Sequence, residues 1–204
     1  MLFVLQSENP DQRDINAIVD ILNKGGVIVY PTDTVYSFGC SLHQKKAIEK
    51  LAKLKELKLK NANFSLICSD LSTISEYTKY LDRSAYKILK RNLPGPFTFI
   101  LTASNQIPKL FDTNKKTVGI RIPDSTIVSE IVKVLGHPLV STSIHDEDEI
   151  LEYTTDPYLI QERWEEDVDA IVDGGYGKNE ASTVVDLSED EVTIIRHGIG
   201  ELIY

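Results

Sequence analysis

No stretch of this chain is long and apolar enough to cross a bilayer. Runs such as Val27 to Tyr30 and Pro138 to Val140 fall far short of the roughly 20 residues a spanning helix needs. The opening residues MLFVLQSENPDQ contain neither a basic n-region nor a small-residue cleavage site, so a soluble, cytoplasmic protein is expected. Cysteine is almost missing: Cys40 and Cys68 are the two, each embedded in apolar sequence. That fits buried thiols in a reducing compartment better than a disulfide framework, with no redox role for either. His43, His137, His145 and His197 are scattered and the two cysteines lack zinc-site spacing, so no metal held by protein alone is expected. The motifs GxxxxGK[ST], GxGxxG opening a helix and HExxH do not occur, which leaves P-loop, dinucleotide-fold and zincin readings without support. There is no internal repeat and no low-complexity segment.

Positive charge is also short, with 22 Lys and Arg against 31 Asp and Glu and a formal charge of −9. Non-specific binding of nucleic acid by the whole surface is therefore disfavoured. The charge is unevenly spread. Seven lysines stand between Lys45 and Lys60 against Glu49 and Glu56, whereas Asp146 to Asp169 carries eleven acids against Arg163. Each block fits a solvated helix face, and the basic one marks a local surface able to receive an anion.

What the chain does have is enough apolar material for one sizeable core: 42% of its 204 residues are hydrophobic and 26% charged. Nothing divides it into halves, so one domain spanning 1–204 is expected. Leu2 to Leu5 reads as a strand. A helix follows from Asn9-Pro10, with Ile15, Ile18, Val19 and Leu22 at helical spacing and Gly25 at its end. Val27 to Tyr30 is a buried strand that must break at Pro31. Gln44 to about Lys58 predicts a helix with Ala47, Ile48, Leu51 and Leu54 inward, and Phe64 to Cys68 a strand. Asp70 and Asp82 are expected to cap two helices ending near Tyr80 and Asn92. Beyond Pro94-Gly95-Pro96, Phe97 to Thr102 alternates as a half-buried strand does. A polar connection through Asn114 to Lys116 leads to a strand over Thr117 to Ile122. Ser125 to Leu135 is the most regular helix, and it feeds a strand over Pro138 to Ser143. A helix from Asp156 and strands over Val168 to Val172, Ser182 to Leu187 and Glu191 to Arg196 complete an α/β fold with a twisted, mixed sheet.

The stretch around which these elements are organised is GGVIVYPTDTVYSFGC, Gly25 to Cys40. Past Pro31 come Thr32, Asp33, Thr34 and Tyr36, then Ser37 and Gly39, which suit a turn running close to something bound. Ligands of open α/β sheets collect outside strand ends, where loops carry short donors and acceptors. Spacing alone fits a hydroxyl-rich turn capping the next helix equally well. The strand ends also offer Ser141, Ser143, Ser182 and Thr183, together with the cations Lys55, Arg121 and Arg196. No nucleophile is paired to a base, so the set suits the positioning of phosphates and a small polar substrate rather than covalent catalysis.

Six ordered segments carry a resemblance: PTDTVYSFG at 31–39, PGPFTFIL at 94–101, TVGIRIP at 117–123, PLVSTS at 138–143, STVVDL at 182–187 and IIRHG at 194–198. Together they resemble the YrdC/YciO family over essentially the whole chain. The resemblance implies a single α/β domain with flanking helices around a concave, electropositive cavity. Its best understood members are threonylcarbamoyl-AMP synthases, which join L-threonine, bicarbonate and ATP into threonylcarbamoyl-AMP and pyrophosphate for the modification of adenosine 37 in transfer RNA. Carried over, it puts Thr32 and Thr34 beside threonine, Lys55 on the ATP phosphates, Thr117, Ser143 and Arg196 on the nucleotide, Arg121 on the amino-acid carboxylate, and Ser141, Ser182 and Asn63 on the amino acid. Lys55 and Arg121 would be the catalytic pair, and Mg²⁺ would enter with ATP. A chain ending at Tyr204 is expected to lack the extra domain of longer members.

Two departures place the chain nearer the YciO branch. Where synthases carry Lys-x-Arg it reads Lys55-Glu56-Leu57, and where they carry Ser-x-Asn it reads Ser143-Ile144-His145. Lys58 or Lys60 would restore the charge but not the planar fork of arginine. The alternative function implied is the binding of double-stranded or transfer RNA, with the 45–60 lysines and Arg83, Lys87, Lys90 and Arg91 meeting phosphates.

Overall fold

The computed structural model describes residues 1–59, 62–107, 116–144, 154–189 and 191–204. Lys60, His145, the acids from Asp146 to Glu152 and most of the connection through Asn114 lie outside the described residues. The described part holds ten strands: β1 (Leu2–Val4), β2 (Val27–Tyr30), β3 (Ser37–Ser41), β4 (Ser65–Ile67), β5 (Phe97–Thr102), β6 (Thr117–Arg121), β7 (Leu139–Ser143), β8 (Ala170–Asp173), β9 (Thr183–Asp186) and β10 (Thr193–Arg196). Six helices accompany them: α1 (Gln12–Asn23), α2 (Lys45–Leu54), α3 (Leu71–Tyr77), α4 (Arg83–Asn92), α5 (Thr126–Leu135) and α6 (Pro157–Trp164). The strands form one mixed sheet in the order β1-β8-β2-β3-β7-β4-β6-β5-β9-β10.

Side chains of a strand alternate between faces, and here the two faces differ. Val27, Val29, Phe38, Cys40, Val140, Leu66, Val118, Ile120, Phe99 and Leu101 point to one side and pack with α2, α3, α4 and α6. The single tryptophan, Trp164, belongs to this layer and meets Phe38 edge-on, 4.9 Å between ring centres. On the other side Ile28, Tyr30, Ile67, Leu139, Ala170 and Val172 lie under α1 and α5. Those two helices cover only part of that face. From β7 to β9 the same side carries Ser143, Ser65, Thr117, Gly119, Thr98, Ile100, Thr102, Val184 and Asp186, all half-buried.

Several helix ends follow from single residues. Asp70, Asp82, Ser125 and Asp156 each accept a first-turn N–H, which stabilises a helix start. Asp11 does so for α1, so that helix opens later than Asn9-Pro10 implied. α3 ends at Tyr77, short of Tyr80, as Thr78 bridges to Ala103. α2 also stops early, at Leu54 rather than near Lys58. Glu56 takes a left-handed φ of 52°, its N–H bonds to Lys53 O, and the N–H of Leu57 reaches Ala52 O. This is a Schellman stop with glutamate where glycine is usual. It takes Lys55 and Leu57 out of the helix.

The largest departure from the sequence reading is β3. Ser37 and Gly39 do not form a turn; they lie in a strand paired antiparallel with β2, Tyr30 opposite Ser37 and Ile28 opposite Gly39. The alternation of Ser37, Gly39 and Ser41 against Phe38 and Cys40 fits a strand with one apolar face. Gly39 is required there because the Tyr30 ring lies over it: a Cβ would stand 2.6 Å from Tyr30 Cε1.

Candidate active site

Hydrogen-bond register places the open half of the sheet in rows. Gly39, Ser141, Ser65, Gly119, Ile100 and Asp186 lie opposite one another across six strands. Ser141 is buried within this floor, donating to Phe38 O at 3.1 Å and sharing a 2.6 Å bond with the Tyr30 hydroxyl. Because the one Ser141 proton goes to Phe38 O, the Tyr30 hydroxyl is the donor of the 2.6 Å bond, and burial pushes its pKa up to about 12. Gly119 keeps the floor low, since a Cβ there would meet Ser65 Oγ at 2.9 Å.

After Tyr30 the chain leaves the sheet, and residues 31–36 turn back over this face. Thr32 Oγ1 donates to Val35 O at 2.7 Å, accepts from the Thr34 N–H and lies 3.0 Å from Thr34 Oγ1. Arg121, at the end of β6, reaches the loop from the floor. Its Nη2 donates to Asp33 Oδ1 at 2.9 Å and to Thr34 Oγ1 at 3.0 Å. Asp33 Oδ2 accepts from the Asp124 N–H. The side chains of Arg121 and Asp33 are 9% and 7% exposed, so this is a buried ion pair. Arg121 Nε is buried with no hydrogen-bond partner, while Nη2 of the same guanidinium holds the Thr34 hydroxyl, which in turn lies 3.0 Å from that of Thr32.

A second segment crosses the same face, from Gly174 at the end of β8 to Ser182 before β9. Tyr36 OH donates to Gly175 O at 2.6 Å and accepts from the Gly174 N–H, and its own acidity is pushed to about 12 by burial. Lys178 N–H donates to Thr34 O, and Ser182 Oγ lies 2.8 Å from Thr98 Oγ1. Arg196 of β10 closes this side, donating through Nη2 to Ser182 O at 2.9 Å and to Ser182 Oγ at 3.4 Å. Thr32, Thr34 and Arg121 thus form one hydrogen-bonded group, Ser182 and Arg196 another.

The remaining candidates sit at one end of the sheet. Thr117 starts β6, Ser143 ends β7, and Asn63 lies two residues before Ser65, which pairs with both neighbouring strands. Lys55 is at the foot of α2, on the opposite layer, at the start of the loop that leads round to Asn63. Leu57 is 43% exposed in that loop. The lysine block does not line the open face as a whole: Lys45, Lys46 and Lys53 are exposed on α2, and Lys50 pairs with Asp169 at 3.0 Å. A cavity of about 670 Å³ beyond the ends of β4 and β6 is a different place, lined by Asp70, Asp124, Glu130 and Lys133 over Leu93 and Ile122. Among the described residues no group of three or more His, Cys, Asp or Glu stands ready to hold a metal.

Sequence reasoning passed over Asp33, Ser65 and Thr98. Asp33 stood in plain view among the loop's polar residues, but its partner is 88 positions away. Ser65 and Thr98 become floor residues only through strand pairing.

A family model described as "Telomere recombination", for Sua5, YciO and YrdC, matches residues 20–198. The chain belongs to the Sua5/YciO/YrdC family. It is 40% identical to YciO of Escherichia coli over 202 residues, covering 98% of this chain and 96% of that protein. The crystal structure of E. coli YciO superposes with a TM-score of 0.90 over 98% of this chain and 97% of that one. A threonylcarbamoyl-AMP synthase of Coxiella burnetii is 31% identical over 137 residues, 67% of this chain and 73% of the synthase. P. abyssi Sua5 complexed with L-threonine shares the fold, with a TM-score of 0.87 at 22% identity over 97% of this chain and 57% of its own. Family membership supports a synthase-like chemistry in general terms.

Proposed function

We propose that this Sua5/YciO/YrdC protein is an ATP-dependent enzyme of the threonylcarbamoyl-AMP synthase type. The observation that carries the reading is Arg121, a buried guanidinium with an orphaned Nε, set beside the hydroxyls of Thr32 and Thr34 under an inward-turned loop. A buried donor without a partner is uncommon and calls for an acceptor, and a carboxylate suits a guanidinium best. The presence of threonine in the P. abyssi Sua5 complex and the synthase named among the relatives support the choice of an amino acid.

In this reading L-threonine lies over Gly119 with its carboxylate at Arg121 and its polar atoms near Thr34, Asn63, Ser141 and Ser182. ATP extends toward Thr117, Ser143 and Arg196, with Lys55 on its phosphates. Bicarbonate supplies the carbon of a threonine carbamate: the N–C bond to the amine forms as a C–O bond of bicarbonate breaks and water leaves. A carbamate oxygen attacks the α-phosphorus, a new P–O bond forms, and the bond to pyrophosphate breaks. The protein contributes alignment and charge neutralisation. Mg²⁺ fits as a metal held by the phosphates, because the floor offers hydroxyls and cations rather than a carboxylate cage. Leu57 removes one cation from the phosphate end, so a rate roughly 10- to 100-fold below that of a synthase with arginine there is expected.

The test is pyrophosphate release from ATP with L-threonine and bicarbonate. Turnover that vanishes in Arg121→Ala and Lys55→Ala supports the reading; no release under any combination of the three substrates removes it. A second reading, RNA binding, draws on Arg83, Lys87, Lys90 and Arg91, all exposed on α4. That helix packs on the opposite face of the sheet. Reversing these four charges should abolish salt-sensitive RNA binding and leave pyrophosphate release intact.

A further inference from the structure

We propose that Asp33 sets the charge selectivity of the Arg121 site, so that it takes ligands whose carboxylate stands next to an ammonium and rejects plain carboxylates. The inference rests on the reading that Arg121 receives the ligand's carboxylate. The guanidinium and the Asp33 carboxylate are 2.9 Å apart, and their side chains are 9% and 7% exposed. Water screens such a pair weakly, so the two charges cancel locally and the Arg121 contact itself carries no net charge before any ligand arrives. A ligand bearing only a carboxylate would add a second negative charge to one guanidinium, within a few ångströms of the first, and like charges so placed suppress binding. A ligand that brings its own ammonium keeps the sum at zero.

The acceptor arithmetic permits the contact. Asp33 Oδ1 takes one bond from Arg121 and Oδ2 one from the Asp124 N–H. A carboxylate has about four acceptor positions, so each oxygen retains one for an ammonium. Thr34 Oγ1, on the same Nη2, completes a guanidinium, carboxylate and hydroxyl set on one side of the loop. Selectivity of this kind arises from repulsion of the wrong ligand as much as from attraction of the right one.

The experiment is calorimetric titration of the full chain with L-threonine and with 3-hydroxybutyrate, which has the same skeleton without the amine. The wild type should bind threonine at least about tenfold more tightly, and Asp33→Asn, which keeps an acceptor for the Asp124 N–H, should bring the two affinities within about threefold. Asp33→Glu, which restores the charge, should recover the preference. An unchanged preference in Asp33→Asn overturns the proposal. Should that variant fail to fold, equal wild-type affinities or a preference lost in Asp33→Glu overturn it instead, and a preference held by both supports it. Selective threonine binding without pyrophosphate release would remove the synthase reading and leave the role of Asp33 standing. No threonine binding would end both.

Discussion

Removing Asp33 leaves a nearly buried guanidinium without its counter-charge. Breaking a buried pair by deleting one partner costs about 3–5 kcal/mol, whereas replacing both by apolar groups of similar volume is often neutral. Asp33→Ala should therefore lower the urea midpoint sharply, and adding Arg121→Met should recover most of the loss. An Asp33→Ala protein as stable as the wild type would mean that the 2.9 Å pair carries no weight in solution. Tyr30 makes a milder case. Tyr30→Phe leaves the Ser141 donation to Phe38 O in place and removes one buried hydrogen bond, so a loss of about 1 kcal/mol by denaturant unfolding is expected. At this scale the sequence was only partly readable. Thr32, Thr34 and Arg121 announce themselves as polar residues at strand ends, and the structure brings them together. No spacing rule points from Asp33 to a residue 88 positions later, nor shows that Ser141 lies buried under the Tyr30 hydroxyl.

Among the elements, α1 and α5 were readable because apolar residues repeat at helical spacing and a glycine marks the end, and α4 because Asp82 caps its start. β3 was not, because four polar side chains after a proline, followed by Ser37 and Gly39, look like a turn until Tyr30 is seen lying on Gly39. The end of α2 was hidden for another reason: a left-handed glutamate leaves no mark in a sequence otherwise full of helix formers. Left-handed backbone costs a non-glycine residue roughly 1–2 kcal/mol, partly offset by glycine's greater freedom when unfolded. Glu56→Gly should thus stabilise the protein by up to about 1 kcal/mol, read as a higher thermal midpoint. A lower midpoint would show that the Schellman stop at Leu57 does not persist in solution.

The molecule as a whole is tied together across its length. β1 pairs with β8, and the N–H of Ile203 bonds to Asn92 Oδ1 while Asn92 Nδ2 donates to Ile203 O. The sheet's α/β class could be inferred from alternating elements; its strand order could not, because long-range pairing leaves no local trace. Its buried acids make a prediction about alkaline pH. Burial raises Cys40, Cys68, Tyr30 and Tyr36 to about 12 each. Once pH exceeds roughly 9, unfolded thiols, and then phenols near 10, lose protons that the folded state retains. The unfolded state then binds fewer protons, so stability must fall as pH rises from about 9 toward 12. Urea midpoints taken across that range should decline steeply, with neither thiol labelled by iodoacetamide below the transition. A flat profile would mean that these groups titrate alike in both states.

The position of Trp164 gives this protein a built-in optical division of labour. The chain's one indole is packed on Phe38 in the layer beneath the sheet, with the guanidinium of Arg163 over its ring at 4.4 Å. The floor that carries Ser65, Ser141, Thr98 and Gly119 is on the other side. Emission from that indole should follow collapse of the core during denaturation and stay silent as threonine or ATP is added, so ligand titrations need a different signal.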